Sequence, residues 1–310
     1  MGKLFKDDTG KSIKSQMESN STTAHNDKAA ELAEQKKMAT ALQGIANNEA
    51  ASLQVANEAK NIANGVAAKV EASNNWVRKT SFSLTDLKKA VADQNLEKYG
   101  LKVGDETTIN GYTYVIAGLN TMRGTSTPYR VNVPHVGLVV IPHATHAWNV
   151  SGNTYTGAGG RGAGYLNCDL HAYLKGTTLP HVQNDLGAAN LIAHNKLLTN
   201  AVNTSGYNKF GAASGCSSGW TWSSEYICAL SEVQVYGSAI WSSSGYDTGE
   251  ACRQLEVFQK YSHTEIFKVE YPWLRDVASA SYAAIATDYG YAYYNSASLG
   301  YFVAALILFH

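Results

Sequence analysis

Residues 271–310 most constrain the fold of this chain, because they combine a core-type strand with almost no charge. Residues 303–309 form an unbroken apolar run, and Trp273 and Leu274 stand near the start of the segment. After Asp276 the only Asp, Glu, Lys or Arg is Asp288. A continuous apolar run is typical of a strand that is covered on both faces. We therefore expect Trp273, Leu274 and the last strand to lie in the core and to hold the residues between them from both ends.

Tyrosine dominates the stretch between these apolar anchors. Six of the 19 tyrosines fall between Tyr282 and Tyr301, among Ser, Ala, Gly and Asn. A tyrosine offers a large contact area and a polar tip for only two side-chain torsions, and small neighbours let it reach a partner, as in antibody paratopes. Tyr289, Tyr291 and Tyr293 are spaced two apart, which puts their rings on one face of a strand. The alternative is an ordinary Tyr-rich strand at a sheet surface, since aromatic residues favour strands.

This composition predicts that residues of about 277–302 form a ligand-binding surface. The residues predicted to contact the ligand are Ser279, Ser281, Tyr282, Asp288, Tyr289, Tyr291, Tyr293, Tyr294, Asn295, Ser298, Leu299 and Tyr301. We expect the six tyrosines of this set to be largely accessible to solvent.

The amino acids that are missing from this segment carry a further signal. From Asp276 onwards there is no Lys, Glu, Gln, Met or Trp, the residues that no codon ending in a pyrimidine can encode. Together with Trp273-Leu274-Arg275 and the apolar strand from Val303 to Phe309, the segment resembles the variable region of proteins diversified by a diversity-generating retroelement. That family often has Gly-Val-Arg-Pro before its last strand, whereas this chain has Gly300-Tyr301-Phe302-Val303. The resemblance implies a surface diversified by mutagenic reverse transcription.

A second resemblance covers residues 107–310. The Gly-rich stretch 157–162, then 165–170, then 229–233 and then 273–275 resemble, in this order, a phage tail-fibre domain family with a C-type-lectin-like fold. The resemblance implies an α+β domain with two helices and a mixed sheet, whose last strands present the variable surface. Calcium-binding C-type lectins carry Glu-Pro-Asn and Trp-Asn-Asp, but here Trp148-Asn149 is followed by Val150 and Glu-Pro-Asn does not occur. The resemblance therefore implies neither a metal nor another cofactor.

The N-terminal third differs in composition. Residues 1–25 are polar and are predicted to be a flexible tail or a virion attachment segment. Residues 26–75 are Ala-rich and free of proline, and they predict a long helix over 27–72. Its apolar seam is too small to be buried alone, which favours a homo-oligomeric coiled coil, with a single helix lying on a globular body as the alternative. Residues 76–106 are predicted to be a linker with a short helix, which begins at Ser83 and ends near Lys98.

Further elements are predicted within the C-terminal domain. Asn110-Gly111 between apolar runs indicates a hairpin. The unbroken apolar run 136–141 indicates a central buried strand. We also predict a helix over 165–175, a second helical stretch over 178–198 that starts near Pro180, and a strand over 226–230.

Net charge, cysteines and histidines limit the function classes. The formal net charge is zero, which gives no electrostatic reason to expect nucleic acid or an anionic membrane as a partner. No apolar run reaches the length of a membrane span, and no secretory signal opens the chain. The spacing of the four cysteines, Cys168, Cys216, Cys228 and Cys252, matches no zinc site. We predict that most of them are reduced and buried, with a single disulfide bridge as the alternative. A metal site at His135, His143 and His146 is a less favoured alternative to solvated loop histidines.

We therefore expect a phage-tail receptor-binding protein rather than an enzyme, synthesised in the cytoplasm of a bacterial host and located in the virion. Its partners would be a host cell-surface receptor, protein or glycan, and other tail proteins that contact the N-terminal segment. The alternatives are a structural virion protein without receptor contact and a tail-borne glycan depolymerase. The depolymerase would need two carboxylates about 5–9.5 Å apart. Asp169, Asp185, Glu225, Glu232, Asp247 and Glu250 form no recognisable pair in the sequence.

The helix at 27–72 is expected to assemble the protein as a trimer, because closed symmetry lets an Ala-rich seam be buried against identical copies. Light scattering of the intact chain should give the mass of an oligomer, and a chain shortened to begin at Val77 should give a monomer. Two monomeric masses would contradict the coiled-coil interpretation.

Overall fold

The computed structural model describes residues 28, 30–37, 77–123, 130–150, 164–202, 217–241 and 253–310. The chain divides into two compact units, Met1–Val77 and Arg78–His310. Residues 28 and 30–37 of the first unit are helical, as the sequence predicts for this part of the chain. The predicted tail 1–25 and the rest of the predicted coiled coil lie outside the described residues, as do Cys216, Cys252, Asp247 and Glu250.

The second unit is an α+β structure. Its described α-helices are α1 (Leu84–Ala92), α2 (Asp169–Tyr173), α3 (Leu179–Leu186), α4 (Glu232–Tyr236), α5 (Glu256–Lys260) and α6 (His263–Phe267). Its described strands are β1 (Glu106–Ile109), β2 (Tyr112–Leu119), β3 (Val136–Ile141), β4 (Thr145–Ala147), β5 (His194–Val202), β6 (Ser217–Glu225), β7 (Ile227–Ala229), β8 (Trp273–Val277), β9 (Tyr282–Ala286), β10 (Ala292–Ser296), β11 (Gly300–Phe302) and β12 (Ala305–Phe309).

Five antiparallel strands in the order β1-β2-β3-β12-β7 form the central sheet. The predicted hairpin is confirmed: Ile109 pairs with Tyr112, and Asn110 and Gly111 both have positive φ angles, 48° and 87°. Two-residue turns of this kind match the right-handed twist of the strands. The predicted buried strand is β3, in which every residue is buried. The strand predicted over 226–230 is β7.

The last strand, β12, lies between β3 and β7, and all five of its residues are buried. Three smaller sheets accompany the central one. They are β10-β9-β8, β11-β4 and β5-β6, and each is antiparallel. The chain between β8 and β12 thus forms the smaller strands β9, β10 and β11 before it enters the central sheet as β12.

The predicted helix after Ser83 is shorter than expected. Ser83 caps α1 by accepting a hydrogen bond from the backbone N–H of Asp86, but the helix ends at Ala92 rather than near Lys98. Gln94 then has a φ of 52°, a left-handed conformation that a right-handed helix cannot continue through. A separate 3-10 turn, Glu97–Tyr99, follows.

The helical predictions for residues 165–198 need correction. The first stretch is interrupted at Cys168, whose extended backbone separates a 3-10 turn from α2. The second is wrong beyond α3: Gly187, with a φ of 82°, ends the helix, and residues 194–202 form β5. Pairing with β6 along the whole of β5 decides this conformation, and the partner strand is distant in sequence.

Two fully buried tryptophans tie the smaller strands to the core. The indole N–H of Trp148 donates to the carbonyl of Leu274 at 2.8 Å, and that of Trp273 donates to the carbonyl of His146 at 2.8 Å. Trp273 and Leu274 are both 0 % exposed, as predicted for core residues. The two reciprocal bonds fix β8 against β4 and the residue that follows β4.

No helix among the described residues is long and apolar enough to cross a membrane.

Replacing Trp273 by Ala should lower the free energy of unfolding by about 3–5 kcal/mol, because a large buried ring and its hydrogen bond are lost together. Trp222→Ala is the matched control, since Trp222 on β6 is 45 % exposed and should cost much less. Urea denaturation of the intact protein measures both values. Equal costs would contradict the placement of Trp273 in the core.

Candidate binding surface

Six aromatic side chains contact one another in a set that spans β9, β10, the turn between them and the loop after α4. We call this set the aromatic surface, and its members are Trp241, Tyr282, Tyr289, Tyr291, Tyr293 and Tyr294. Tyr289 and Tyr291 are the most exposed, at 73 % and 54 %. Tyr282 and Tyr293 are also exposed, whereas Tyr294 is half-buried. The six tyrosines that were predicted to be accessible also include Tyr301. The prediction is therefore confirmed for four of these six.

The tyrosines form an unbroken series of ring contacts. The rings of Tyr289 and Tyr291 are within 17° of parallel, with centroids 6.3 Å apart, and Tyr291 meets Tyr293 edge to face at 6.2 Å. Tyr293 stacks on Tyr294 at 5.1 Å, and Tyr294 meets Tyr282 edge to face at 5.4 Å. Separations of this size are typical of favourable aromatic pairs. The rings consequently hold one another in place without being buried.

Trp241 belongs to this surface, although sequence reasoning did not include it. Its ring meets that of Tyr294 edge to face at 4.6 Å, and its indole N–H donates to the carbonyl of Ala292 at 3.1 Å. The hydroxyl of Tyr236 donates to the carbonyl of Tyr291 at 3.2 Å. β10 is an edge strand in its sheet, so a side chain rather than another strand satisfies the carbonyl of Ala292, whereas the carbonyl of Tyr291 also accepts from Thr287 across the hairpin. The Ser-rich stretch around Trp241, residues 238–244, is the one sequence signal that could have pointed to it.

Buried carboxylates hold the loop that carries Trp241. Glu232 is 0 % exposed and accepts hydrogen bonds from the backbone N–H groups of Ile240 and Trp241. Its own backbone N–H donates to the carboxylate of Asp276, which is also buried, at 2.7 Å. Asp276 follows the Trp-Leu-Arg stretch on β8, so β8 and the Trp241 loop are linked through two acidic side chains.

The turn between β9 and β10 is fixed by Thr287. Its hydroxyl donates to the carbonyl of Tyr291 at 2.7 Å and accepts from the backbone N–H of Tyr291 at 3.1 Å. Gly290 has a φ of 92°, a conformation that side chains with a β-carbon rarely adopt. The Nε2–H of the buried His263 donates to the carbonyl of Thr287 at 2.8 Å. These bonds set the direction in which Tyr289 and Tyr291 project.

Two predicted contact residues are placed differently by the structure. Ser279 is 9 % exposed, because it lies in the tight connection between β8 and β9, where its hydroxyl accepts from the backbone N–H of Ser281. Tyr301 is only half-buried rather than largely accessible, because its ring packs edge to face on Trp273 at 5.1 Å. Its hydroxyl accepts a hydrogen bond from the side-chain amide of Asn295 at 2.5 Å.

The remaining predicted residues are accessible. Ser281, Asp288, Ser298 and Leu299 are exposed, and Asn295 is half-buried.

The three histidines considered for a metal site make separate contacts. His135 is buried and accepts from the backbone N–H of Met122 through Nε2, while His143 Nε2 lies 2.9 Å from the hydroxyl of Thr113. His146 stacks on Tyr173, with ring centroids 4.4 Å apart. The described part of the chain contains no group of three or more His, Cys, Asp or Glu that could hold a metal ion.

The described carboxylates considered for catalysis each stabilise the fold. Asp185 accepts from the Tyr114 hydroxyl and from the Asn110 amide. Glu225 is 1 % exposed and lies 3.3 Å from both His171 and Lys175. Burial opposes ionisation of Glu225, but its hydrogen bonds with His171 and Ser223 lower its pKa overall. Asp169 accepts from the backbone N–H of Val150, and Glu232 holds the Trp241 loop.

Cys168 and Cys228 are buried free thiols, as the sequence predicts for most cysteines.

Comparison of the chain with protein-family models, with curated proteins and with solved structures gives no match. The candidate site is therefore defined by the geometry of the aromatic surface and by the residue pattern of 273–309.

Acidification should destabilise the domain through His263. Burial lowers the pKa of His263, although its bond to the Thr287 carbonyl opposes this shift. The unfolded chain therefore binds the proton more readily, so stability present above pH of about 6.5 is lost as the pH falls towards the lower folded-state pKa. Urea denaturation between pH 7.5 and 5 should show a smaller loss for His263→Gln than for the native protein. Equal losses would mean that His263 does not contribute, because His135 and His194, whose pKa values burial also lowers, remain in both proteins.

Proposed function

We propose that the protein is a phage-tail receptor-binding protein and that the aromatic surface contacts the host receptor. The observation that carries this proposal is the continuous series of contacting tyrosine rings on β9, β10 and their turn, of which four are exposed. An exposed aromatic patch of this kind is unusual on a surface that serves only to face water. Tyrosine and tryptophan are also the residues most often found at the energetic centre of binding interfaces.

The arrangement of the strands supports a C-type-lectin-like fold for residues 107–310. The predicted Tyr-rich segment follows β8 and precedes β12, which lies in the centre of the main sheet. The side chains that hold it, Trp273 and the strand β12, belong to the part of the sequence that resembles the fixed frame of retroelement-diversified proteins. Under this proposal, residues of about 277–302 vary between copies of the gene while the frame is kept.

The N-terminal helix at 27–72 would join several copies into an oligomer, which we propose to be a trimer. Several aromatic surfaces on one particle would then bind the same cell, and binding at linked sites strengthens attachment without any new contact. The polar segment 1–25 would attach the oligomer to other tail proteins, which places the protein in the virion. The protein would need no catalytic residues or cofactor for this role.

The double substitution Tyr289→Ala with Tyr291→Ala tests the proposal. Both rings are exposed, so each change should alter the free energy of unfolding by no more than about 0.5 kcal/mol. Attachment of the labelled protein to host cells should fall strongly, because the change removes the most exposed part of the aromatic surface. Thermal melts and cell-adsorption assays on the same samples separate the two effects.

Tyr226→Ala is the matched control, because Tyr226 is 41 % exposed but lies between β6 and β7, outside the aromatic surface. It should leave both stability and adsorption nearly unchanged. If the Tyr289/Tyr291 variant adsorbs as well as the Tyr226 variant, the aromatic surface is not the receptor-binding face, and a structural role in the virion becomes the better explanation.

A further inference from the structure

The exposed charged side chains of the segment that carries the tyrosines are acidic. In the segment 269–309, which the structure describes throughout, the exposed side chains that carry a charge are Glu270 and Asp288. The other two charged residues of the segment, Arg275 and Asp276, are only 2 % and 3 % exposed. A partner that contacts the turn between β9 and β10 therefore meets the carboxylate of Asp288 and no exposed ammonium or guanidinium group of the segment itself.

Asp288 lies at one end of the aromatic surface, in the turn between β9 and β10. Asp288 is exposed and therefore accessible to a partner. Desolvation, followed by the charge of the nearby Asp288, raises the pKa of Tyr271 to about 12. Tyr271 is itself held by the ring of Tyr301, with centroids 5.6 Å apart.

The rings next to Asp288 suit a cation. The faces of tyrosine rings carry partial negative charge and attract an ammonium or guanidinium group that lies within about 6 Å of the ring centroid. Tyr289 and Tyr291 are the two most exposed rings of the surface and closely follow Asp288 in sequence, so a cation that contacts Asp288 can also approach the face of one of these rings. The exposure of both rings leaves room for a group that approaches from solvent.

We propose that the receptor is a protein that places a lysine or arginine side chain against Asp288, Tyr289 and Tyr291. This inference rests on the proposed function and specifies the chemistry of its partner. Arginine is enriched in protein interfaces, and a Tyr-rich paratope-like surface is suited to protein epitopes. Anionic partners such as phosphorylated or sialylated glycans are disfavoured, because they would lie against the carboxylate of Asp288. Nucleic acid is disfavoured for the same reason, since its recognition depends on exposed Lys and Arg.

The inference is tested by NMR on the full chain with 13C-labelled tyrosine rings. The probes are N-acetyl-arginine methylamide, N-acetyl-lysine methylamide, glucosamine, and N-acetyl-citrulline methylamide as the neutral counterpart of arginine. We expect the arginine or lysine probe to shift the Tyr289 and Tyr291 ring signals, and citrulline to shift them much less. The Asp288→Asn variant should bind the cationic probes roughly threefold more weakly, as for the loss of an exposed charge pair. Added salt should weaken binding to the native protein in the same direction.

Glu97→Gln is the control for a change of net charge, because Glu97 is an exposed acid in the 3-10 turn that follows α1. It should bind all the probes as the native protein does. Equal binding of citrulline and arginine, an unaltered affinity in Asp288→Asn, or no ring shift with any cationic probe would each overturn the inference. Tighter binding of glucosamine than of both amino-acid probes would overturn the choice of a protein receptor.

Cell-adsorption assays distinguish failure of the proposed cation contact from failure of the proposed receptor-binding function. If Tyr289→Ala with Tyr291→Ala abolishes adsorption while Asp288→Asn adsorbs normally, the aromatic surface is still the receptor-binding face and the cation is not part of its recognition. If none of these variants changes adsorption, both proposals fail together.

Discussion

The position of β12 in the centre of the main sheet is the constraint on which the rest of the domain depends. This strand pairs with β3 on one side and β7 on the other, and all of its residues are buried. A strand in this position cannot move without separating the sheet into two parts. Because β8 is also buried, the chain between β8 and β12 starts and finishes at fixed points. The tyrosines of the aromatic surface therefore lie on a segment whose two ends are fixed by buried strands.

The strands and loops that carry the aromatic surface are held mainly by residues whose side chains do not face the solvent. Trp273 bonds to the carbonyl of His146, Glu232 holds the loop before Trp241, and His263 bonds to the carbonyl of Thr287. None of these bonds uses the hydroxyls of the exposed tyrosines. Changing an outward-facing tyrosine consequently removes ring contacts but leaves the hydrogen bonds that shape the strands. This separation between the shape of the surface and its chemistry is what a diversified binding surface requires.

Local sequence signals correctly predicted the elements whose conformation depends mainly on residues close to them in the sequence. The Asn110-Gly111 hairpin, the apolar strands β3 and β12, and the burial of Trp273 all agree with the structure. Residues 194–198 were predicted as helix but belong to β5, because pairing with β6 outweighs the local pattern. At the candidate site, composition identified Tyr289 and Tyr291, but it could not tell that Ser279 turns inwards at the irregular junction of β8 and β9. Trp241 was missed because only the three-dimensional fold brings it to β10.

β9 meets its neighbours largely through small side chains on both of its faces. In β9, Tyr282 is exposed while Ala283, Ala284 and Ala286 are fully buried, and Ile285 lies opposite Trp273. Successive residues of a strand point to opposite faces, so Ala283 lies on one face and Ala284 and Ala286 on the other, and both faces are covered. A larger side chain at these positions would overpack them, at a cost of about 1–3 kcal/mol. The exposed tyrosines stand instead at the first residue of β9, in the turn that follows it and on the edge strand β10, so the packing of β9 confines the large rings to positions that a partner can reach.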